Sequence, residues 1–449
     1  MSKNKRFPLF WAGIILASSF FALSSFPAET GKGLYFKARK IYTSTKMAVL
    51  QHGGMLVEGE KIVRLDKKPK PPQNAQVVDL GDGVIIPGLI DAHCSWGFHE
   101  EDFAIKTEPP PALGLPVLRQ FFAQPPPPPP MPEARSLAAQ AVFYRDRSFQ
   151  NFLTEGITSA KISIPTEYLV GGGSALVKLG ARSPVEFILK SPVALEFSFV
   201  AAEKTMERYG ELKKIFLDAQ EYEKSFKKYQ KDLKAYREKK KEKDTKEQDK
   251  EKEAEKPEEE LKEPVQPKKD ENQEAILQVL KRKIPAMVRA GRINEIAAAV
   301  KLAEEFGINL VLVGGQEGYK MAGDLAARKI PIVAGPESIY IKKGEKINFI
   351  KELLKQNVLI AFGSHSTMGA QFLPFQLSYA IQHGLTETEA LGLLTINAAQ
   401  VLGEAGRIGS LEAGKDADFT VLNGEPFRLE TQVEKVYVNG RLVHSRDKL

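Results

Sequence analysis

The sequence predicts an α/β protein, a (β/α)8 TIM-type barrel with a small composite β-sandwich domain formed by the N- and C-terminal segments. Three observations predict this. Both ends read as short strands with turns between them, and the middle alternates apolar strand runs with amphipathic helices. The length, 449 residues, leaves room for a barrel and a smaller module. With 43% apolar and 27% charged residues the composition is that of a folded globular chain, which excludes global disorder. A net charge of +7 would suit a nucleic-acid binder, but the basic residues are dispersed and the densest charged run mixes both signs. A solvated basic surface is expected, and no nucleic-acid partner.

Residues 1–28 are read as a signal peptide or an N-terminal anchor. Lys3, Lys5 and Arg6 precede an apolar run from Phe7 to Phe26, and Ala22-Leu23-Ser24 offers small residues for cleavage. Export to a periplasmic or extracellular location is expected, with membrane contact only through this segment if it stays uncleaved. The single cysteine, Cys94, can form no internal disulfide, so the fold must rest on its core.

Residues 32–86 and 406–449 are expected to form the composite β-domain. Leu34–Ala38, Met47–Leu50, Met55–Val57 and Lys61–Leu65 read as strands, with Gly53-Gly54 and Glu58-Gly59-Glu60 as turns. At the other end, Asp418–Leu422 is a strand, and Asn439-Gly440 joins Lys435–Val438 to Arg441–His444 as a hairpin whose turn residues need positive φ.

Residues 87–405 read as the barrel. Strand runs at Ile157–Ser163, Ile284–Val288, Asn309–Val313, Pro331–Ala334 and Leu359–Gly363 alternate with helices such as Ile293–Phe306, Tyr319–Arg328 and Phe349–Lys355. Continuous apolar strands between amphipathic helices suit a parallel sheet covered on its faces. Thr386-x-x-Glu389 is a capping box. Two stretches interrupt the alternation. Pro109 to Pro132 is proline-rich and stiff. Residues 221–270 form a charged insertion, helical or disordered. Sixteen of the twenty residues from Lys241 to Glu260 are charged, while Tyr222, Phe226, Tyr229 and Leu233 lay a single apolar stripe along its beginning.

Three motifs carry a family resemblance. Val77-Val78-Asp79-Leu80-Gly81 through Pro87-Gly88-Leu89-Ile90-Asp91-Ala92-His93 resembles the lead into the first barrel strand of the amidohydrolase superfamily. Gly406-Arg407-Ile408-Gly409 through Lys415-Asp416-Ala417-Asp418-Phe419 resembles that superfamily's return into its β-domain. Gly156-Ile157-Thr158 with Gly171-Gly172-Gly173 and Lys178 is similar to the imidazolonepropionase-like branch. The resemblance implies metal-dependent hydrolysis of amide or cyclic-amide C–N bonds. A His-x-His pair on the first strand, a Lys or Glu from the middle strands, two further histidines and a last-strand Asp would hold the metal and activate water.

The residues depart from that set. His93 stands at the first histidine position, but the second is Ser95. The fifth-strand histidine position holds Arg289, the sixth-strand one Gly314, and the general-base Asp position His365; the fourth-strand acid is expected near Ala201. A guanidinium cannot ligate a cation, and glycine offers no side chain. The pocket is expected to comprise His93, Ser95, His99, Arg289, Gly314, Gln316, Gly171 and Gly172.

Two readings of the site stay open, beside a third in which residues 221–270 form a docking arm of a scaffold and not a solvated excursion. In the first, hydrolysis is lost, no metal or other cofactor is bound, and the chain binds a small-molecule ligand or partners an active paralogue in a homo- or hetero-oligomer. In the second, His93 and His365, with His99 or Glu100, hold one Zn²⁺, or His365 acts as a catalytic base with Arg289 stabilising negative charge. The plainer alternatives are that Arg289 and Arg292 pair with Glu295 or Glu317, and that Cys94 packs outward as an inert core residue.

Overall fold

The computed structural model describes residues 33–45, 49–98, 133–164, 168–200, 204–248, 262–365, 369 and 372–446. The expected signal or anchor segment, the proline-rich stretch and His99 lie outside these residues. Among the described residues no helix is long and apolar enough to cross a membrane.

The chain opens with β1 (Leu34–Tyr42), β2 (Val49–Glu58), β3 (Lys61–Asp66), β4 (Gln76–Asp79) and β5 (Val84–Pro87). The α/β body begins with β6 (Leu89–Cys94), α1 (Ala138–Ala141), α2 (Ser148–Thr154), β7 (Ile157–Ile162), β8 (Val170–Gly173) and β9 (Ala175–Lys178). It continues through α3 (Pro184–Phe187), β10 (Ile188–Lys190), β11 (Leu195–Ser198), α4 (Thr205–Gln248), α5 (Glu271–Leu280), β12 (Ala286–Ala290), α6 (Ile293–Phe306) and β13 (Leu310–Gly314). The body ends with α7 (Ala322–Ala327), β14 (Ile332–Ala334), β15 (Tyr340–Lys342), β16 (Glu345–Ile347), α8 (Phe349–Lys355), β17 (Ile360–Phe362), α9 (Leu373–Gln382), α10 (Glu387–Leu393) and α11 (Ile396–Val401). β18 (Phe419–Leu422), β19 (Val433–Val438) and β20 (Arg441–Ser445) close the chain.

Both ends join one eight-stranded sheet, β20-β19-β18-β5-β1-β2-β3 with β4 on β1. The N- and C-terminal segments thus share one sheet. The single sheet rolls, because the far edge returns to the segment entering β18: Ile62 N donates to Lys415 O (3.0 Å) and Ala417 N to Glu60 O (2.8 Å). Phe36, Phe419 and Tyr437 fill the roll, with Phe36 edge-on to Phe419 at 4.9 Å. One correction concerns Gly53-Gly54, read as a turn. β2 runs straight through it, and a side chain at Gly54 would collide with the Tyr35 hydroxyl, so the glycines serve close packing. Asn439 (φ 50°) and Gly440 (φ 71°) do form the tight turn between β19 and β20.

In the body, β6 pairs β7 in parallel, and β11, β12, β13, β14 and β17 pair in parallel in that order. The expected all-parallel repeat is broken by β8 and β9, which run antiparallel to β11 and β7 respectively. Ser174, between β8 and β9, links the two sheets: its N donates to Ala194 O (3.0 Å) and its O accepts from Val193 N (2.8 Å). At the opposite side His365 N donates to His93 O (2.8 Å), joining the end of β17 to β6. Gly363 makes that approach possible, since a Cβ there would lie 2.7 Å from His93 N.

Helices cover the strands by burying one face each. In α6 the residues Ile296, Ala299, Leu302 and Ala303 are buried, and Gly307 (φ 63°) ends the helix in the left-handed conformation. The capping box at Thr386 and Glu389 forms as expected. The charged insertion is one continuous helix, α4, which starts at Thr205 and not near residue 221, because Tyr209, Leu212 and Phe216 anchor its first turns in the core. Residues 262–270 return as an extended segment, and residues 249–261 lie outside the described region.

Lys178 on β9 binds body to β-domain. Almost fully buried, its Nζ lies 2.5 Å from Asp416 Oδ2 and 3.0 Å from Asp418 Oδ2, and it also meets Asn439 Oδ1. Two of the sequence motifs thus meet in one buried ion cluster, to which Arg407 adds a bond to Asp416 (3.0 Å).

Candidate functional site

Parallel strands deliver their last side chains to one mouth, and the candidate site is built there. β6 ends in Asp91, His93 and Ser95, of which Asp91 is fully buried. Its Oδ1 accepts from Ser364 N (3.0 Å) and His93 N (3.2 Å), and its Oδ2 from Ser364 Oγ (2.6 Å). Burial outweighs these bonds and raises its pKa to about 6. Asp91 therefore ties β6 to the turn after β17 and sets the histidine beside it.

His93 and His365 stack, with ring centroids 4.8 Å apart and planes 21° apart. His365 takes a left-handed backbone (φ 56°), and its Nε2 hydrogen-bonds Ala334 O at 3.0 Å, which makes that nitrogen the donor. Burial, then the neighbouring His93, pull the His365 pKa well below its usual value. Burial and the Lys161 ammonium lower His93 to about 4. Both rings are therefore neutral at pH 7. His93 Nε2 faces Ser163 Oγ (3.5 Å) and Glu196 Oε2 (3.7 Å), while its buried Nδ1 has no hydrogen-bond partner among the described residues.

Two residues that sequence reasoning missed complete the centre. Lys161 on β7 is 0% exposed, and its Nζ lies 2.5 Å from Glu196 Oε1 and donates to Ser163 Oγ at 2.7 Å. Glu196 lies on β11, five residues before Ala201, near which the fourth-strand acid is expected and which is outside the described residues. Burial would raise Glu196, but Lys161 and His93 outweigh it and hold the carboxyl at about 2. For Lys161, burial lowers the pKa against the pull of Glu196. The signal available in the sequence was a single charged residue inside each of two apolar strand runs, Ile157–Ile162 and Leu195–Phe199, where burial requires a partner.

Arg289 ends β12 with an exposed side chain and forms no ion pair or hydrogen bond among the described residues. The expected partners are engaged elsewhere. Glu295 accepts from the backbone N–H of Gly291 (2.9 Å) and Arg292 (3.1 Å), while Glu317 accepts from Ile293 N (3.1 Å) and pairs with Lys320 and Lys342. Gly314 (φ 98°) and Gln316 follow β13 on the same wall. Gly171 and Ser95 line the inner site, whereas Gly172 (φ 81°) packs on Ser136 O, where a Cβ would come within 2.6 Å. Cys94 is buried among apolar residues, and burial raises its thiol pKa well above normal.

Two cavities open from this arrangement. An inner one of about 60 Å³ is walled by His93, Ser95, Ser163, Glu196 and Ser198, and an outer one of about 750 Å³ by Gly314, Gln316, Ile339 and Tyr340; Arg289 and His365 line both.

The Amidohydrolase family model matches residues 84–443, most of the chain. This chain belongs to the amidohydrolase family. Among solved structures, an amidohydrolase from Thermotoga maritima is 29% identical, covers 92% of this chain and 100% of its own, and superposes with a TM-score of 0.72. Curated relatives include a probable imidazolonepropionase of Xenopus laevis, 28% identical over 161 residues (33% of this chain, 36% of the relative). The imidazolonepropionase of Symbiobacterium thermophilum is 34% identical over 109 residues (22% and 26%). The chain thus spans about a third or less of the length of these relatives.

Amidohydrolase chemistry is metal-dependent hydrolysis of C–N bonds, so the site can be tested against a metal. The donor set does not fit one. Among the described residues no three His, Cys, Asp or Glu side chains are grouped to hold an ion. The carboxylate that faces the His93 ring, Glu196, is already engaged by an ammonium at 2.5 Å, and Asp91 is taken up by Ser364 and the His93 backbone.

Proposed function

We propose that this chain is a metal-free member of the amidohydrolase family that uses the family's mouth cavity to bind a small ligand. The observation that carries this reading is the buried Lys161–Glu196 pair, in which an ammonium stands against the acid that would serve a metal. Arg289 adds a second fixed positive charge at the position of a ligating histidine. A divalent ion about 4 Å from either cation would meet repulsion on the order of 8 kcal/mol at an effective dielectric of about 20. The circuit of strand pairings, closed at Ser174 and His365, supports reading the body as the family's eight-stranded barrel, with one strand reversed. The apolar N-terminal segment supports export, which detection of the chain outside the cytoplasm would check.

Purified protein supplied with Zn²⁺ or Mn²⁺ is expected to turn over no cyclic amide, dipeptide or N-acyl amino acid. A second reading draws on His365, whose left-handed backbone is the kind of strain that collects at reactive sites. Turnover that is lost in His365→Ala would establish that reading and overturn the first.

A further inference from the structure

Most charged side chains around the two cavities are paired or engaged by backbone groups. In the inner cavity Lys161 is paired with Glu196 at 2.5 Å. On the outer wall Glu317 is bound by two lysines, and Glu295 is taken up by backbone N–H groups at the start of α6. Glu337 and Arg292 are exposed at the rim and offset each other. Arg289 is left over at the junction of both cavities, with no partner among the described residues. The Gln316 carboxamide, on the next strand's exit, likewise makes no hydrogen bond among the described residues, and its Oε1 lies close to Gly291 and Gly314, where any side chain would crowd it.

A guanidinium with an open face beside a free amide donor matches the planar, two-oxygen geometry of a carboxylate. A single unpaired guanidinium suits a monoanion better than a phosphate dianion. We propose that the outer cavity binds a small organic acid, its carboxylate held by Arg289 and Gln316 and its apolar remainder against Val313, Ile339 and Tyr340. The inference rests on the metal-free reading, since a cation beside His93 would itself draw the carboxylate away from Arg289.

The test is calorimetric titration of the full chain at pH 7 with acetate, benzoate, succinate and N-acetylglycine, each against its neutral amide. At least one acid is expected to bind about tenfold more tightly than its amide, the ratio one charge-assisted hydrogen bond supports. Arg289→Gln should erase that preference, Arg289→Lys should retain some of it, and Arg292→Gln on the rim should leave it intact. The side chain of Arg289 forms no ion pair or hydrogen bond among the described residues, so its loss should leave the thermal midpoint little changed. Equal binding of every acid and amide, or a preference that survives Arg289→Gln, overturns the proposal. Metal content measured on the same samples separates the two failures: one ion per chain defeats the metal-free reading, whereas no metal and no acid preference defeats the carboxylate site alone.

Discussion

Lys161→Met removes the cation from a fully buried pair and leaves Glu196 without its counter-charge. Lys161 holds Glu196 at about 2, against an ordinary 4.5. At about 1.4 kcal/mol per unit, that depression corresponds to roughly 3 kcal/mol of folding free energy at neutral pH. Breaking one partner of a buried pair costs about 3–5 kcal/mol in general, which agrees. The sign of the pH dependence identifies the cause. In the parent, a depressed carboxylate contributes stability that is complete above pH 4.5 and is lost as pH falls toward 2. In Lys161→Met, burial is opposed by His93 alone and the Glu196 pKa rises above its unfolded value. Its contribution is then present below that value and lost as pH rises through the new folded pKa. The cost of the substitution should therefore shrink as the solution is acidified. Urea unfolding of Lys161→Met, Glu196→Leu and the double variant, followed by circular dichroism from pH 4 to 8, would measure it. The double variant should recover most of the loss, because well-packed apolar replacements of a buried pair are close to neutral. A single-variant cost below about 1 kcal/mol, or one that does not change with pH, would refute the reasoning.

Asp91→Leu strips acceptors from the Ser364 and His93 N–H groups and from the Ser364 hydroxyl, and should cost about 3 kcal/mol or more in urea unfolding. Asp91→Asn keeps an acceptor for the N–H groups and should stay within about 1 kcal/mol of the parent. It should also remove the loss of stability expected as pH rises through about 6, the raised pKa of this aspartate. Lys178→Met leaves Asp416 and Asp418 facing each other without their shared cation, and a loss of about 3–5 kcal/mol is expected in the same assay. Gly363→Ala would push a methyl group into the His93 backbone and should destabilise by about 1–3 kcal/mol, read as a lowered thermal midpoint.

Local chemistry with a short range was legible in the sequence. The Asn439-Gly440 turn and the Thr386 capping box depend on neighbouring residues alone, and both form. The apolar period of Ile293–Phe306 likewise places α6 to the residue. What escaped depends on partners distant in the chain. Lys161 and Glu196 are 35 positions apart, and neither is interpretable until their strands stand near one another. Gly53-Gly54 looks like a turn because glycine usually marks one, whereas here Tyr35 from the neighbouring strand requires the missing side chains. The reversal of β8 and β9 was hidden for a similar reason. Val170–Lys178 has the apolar content of any buried strand, and its direction shows only in its pairing with distant strands, not in its composition. At the candidate site the sequence located His93, Arg289 and His365 at the mouth, but not the ion pair beneath them.

The central claim is that protein cations have taken over the place of the metal. Metal content by mass spectrometry tests it most directly, on protein purified without chelator and again after exposure to Zn²⁺ and desalting. The account predicts no stoichiometric metal in either sample and no change in His93→Ala. About one tightly held ion per chain that disappears in His93→Ala would contradict it.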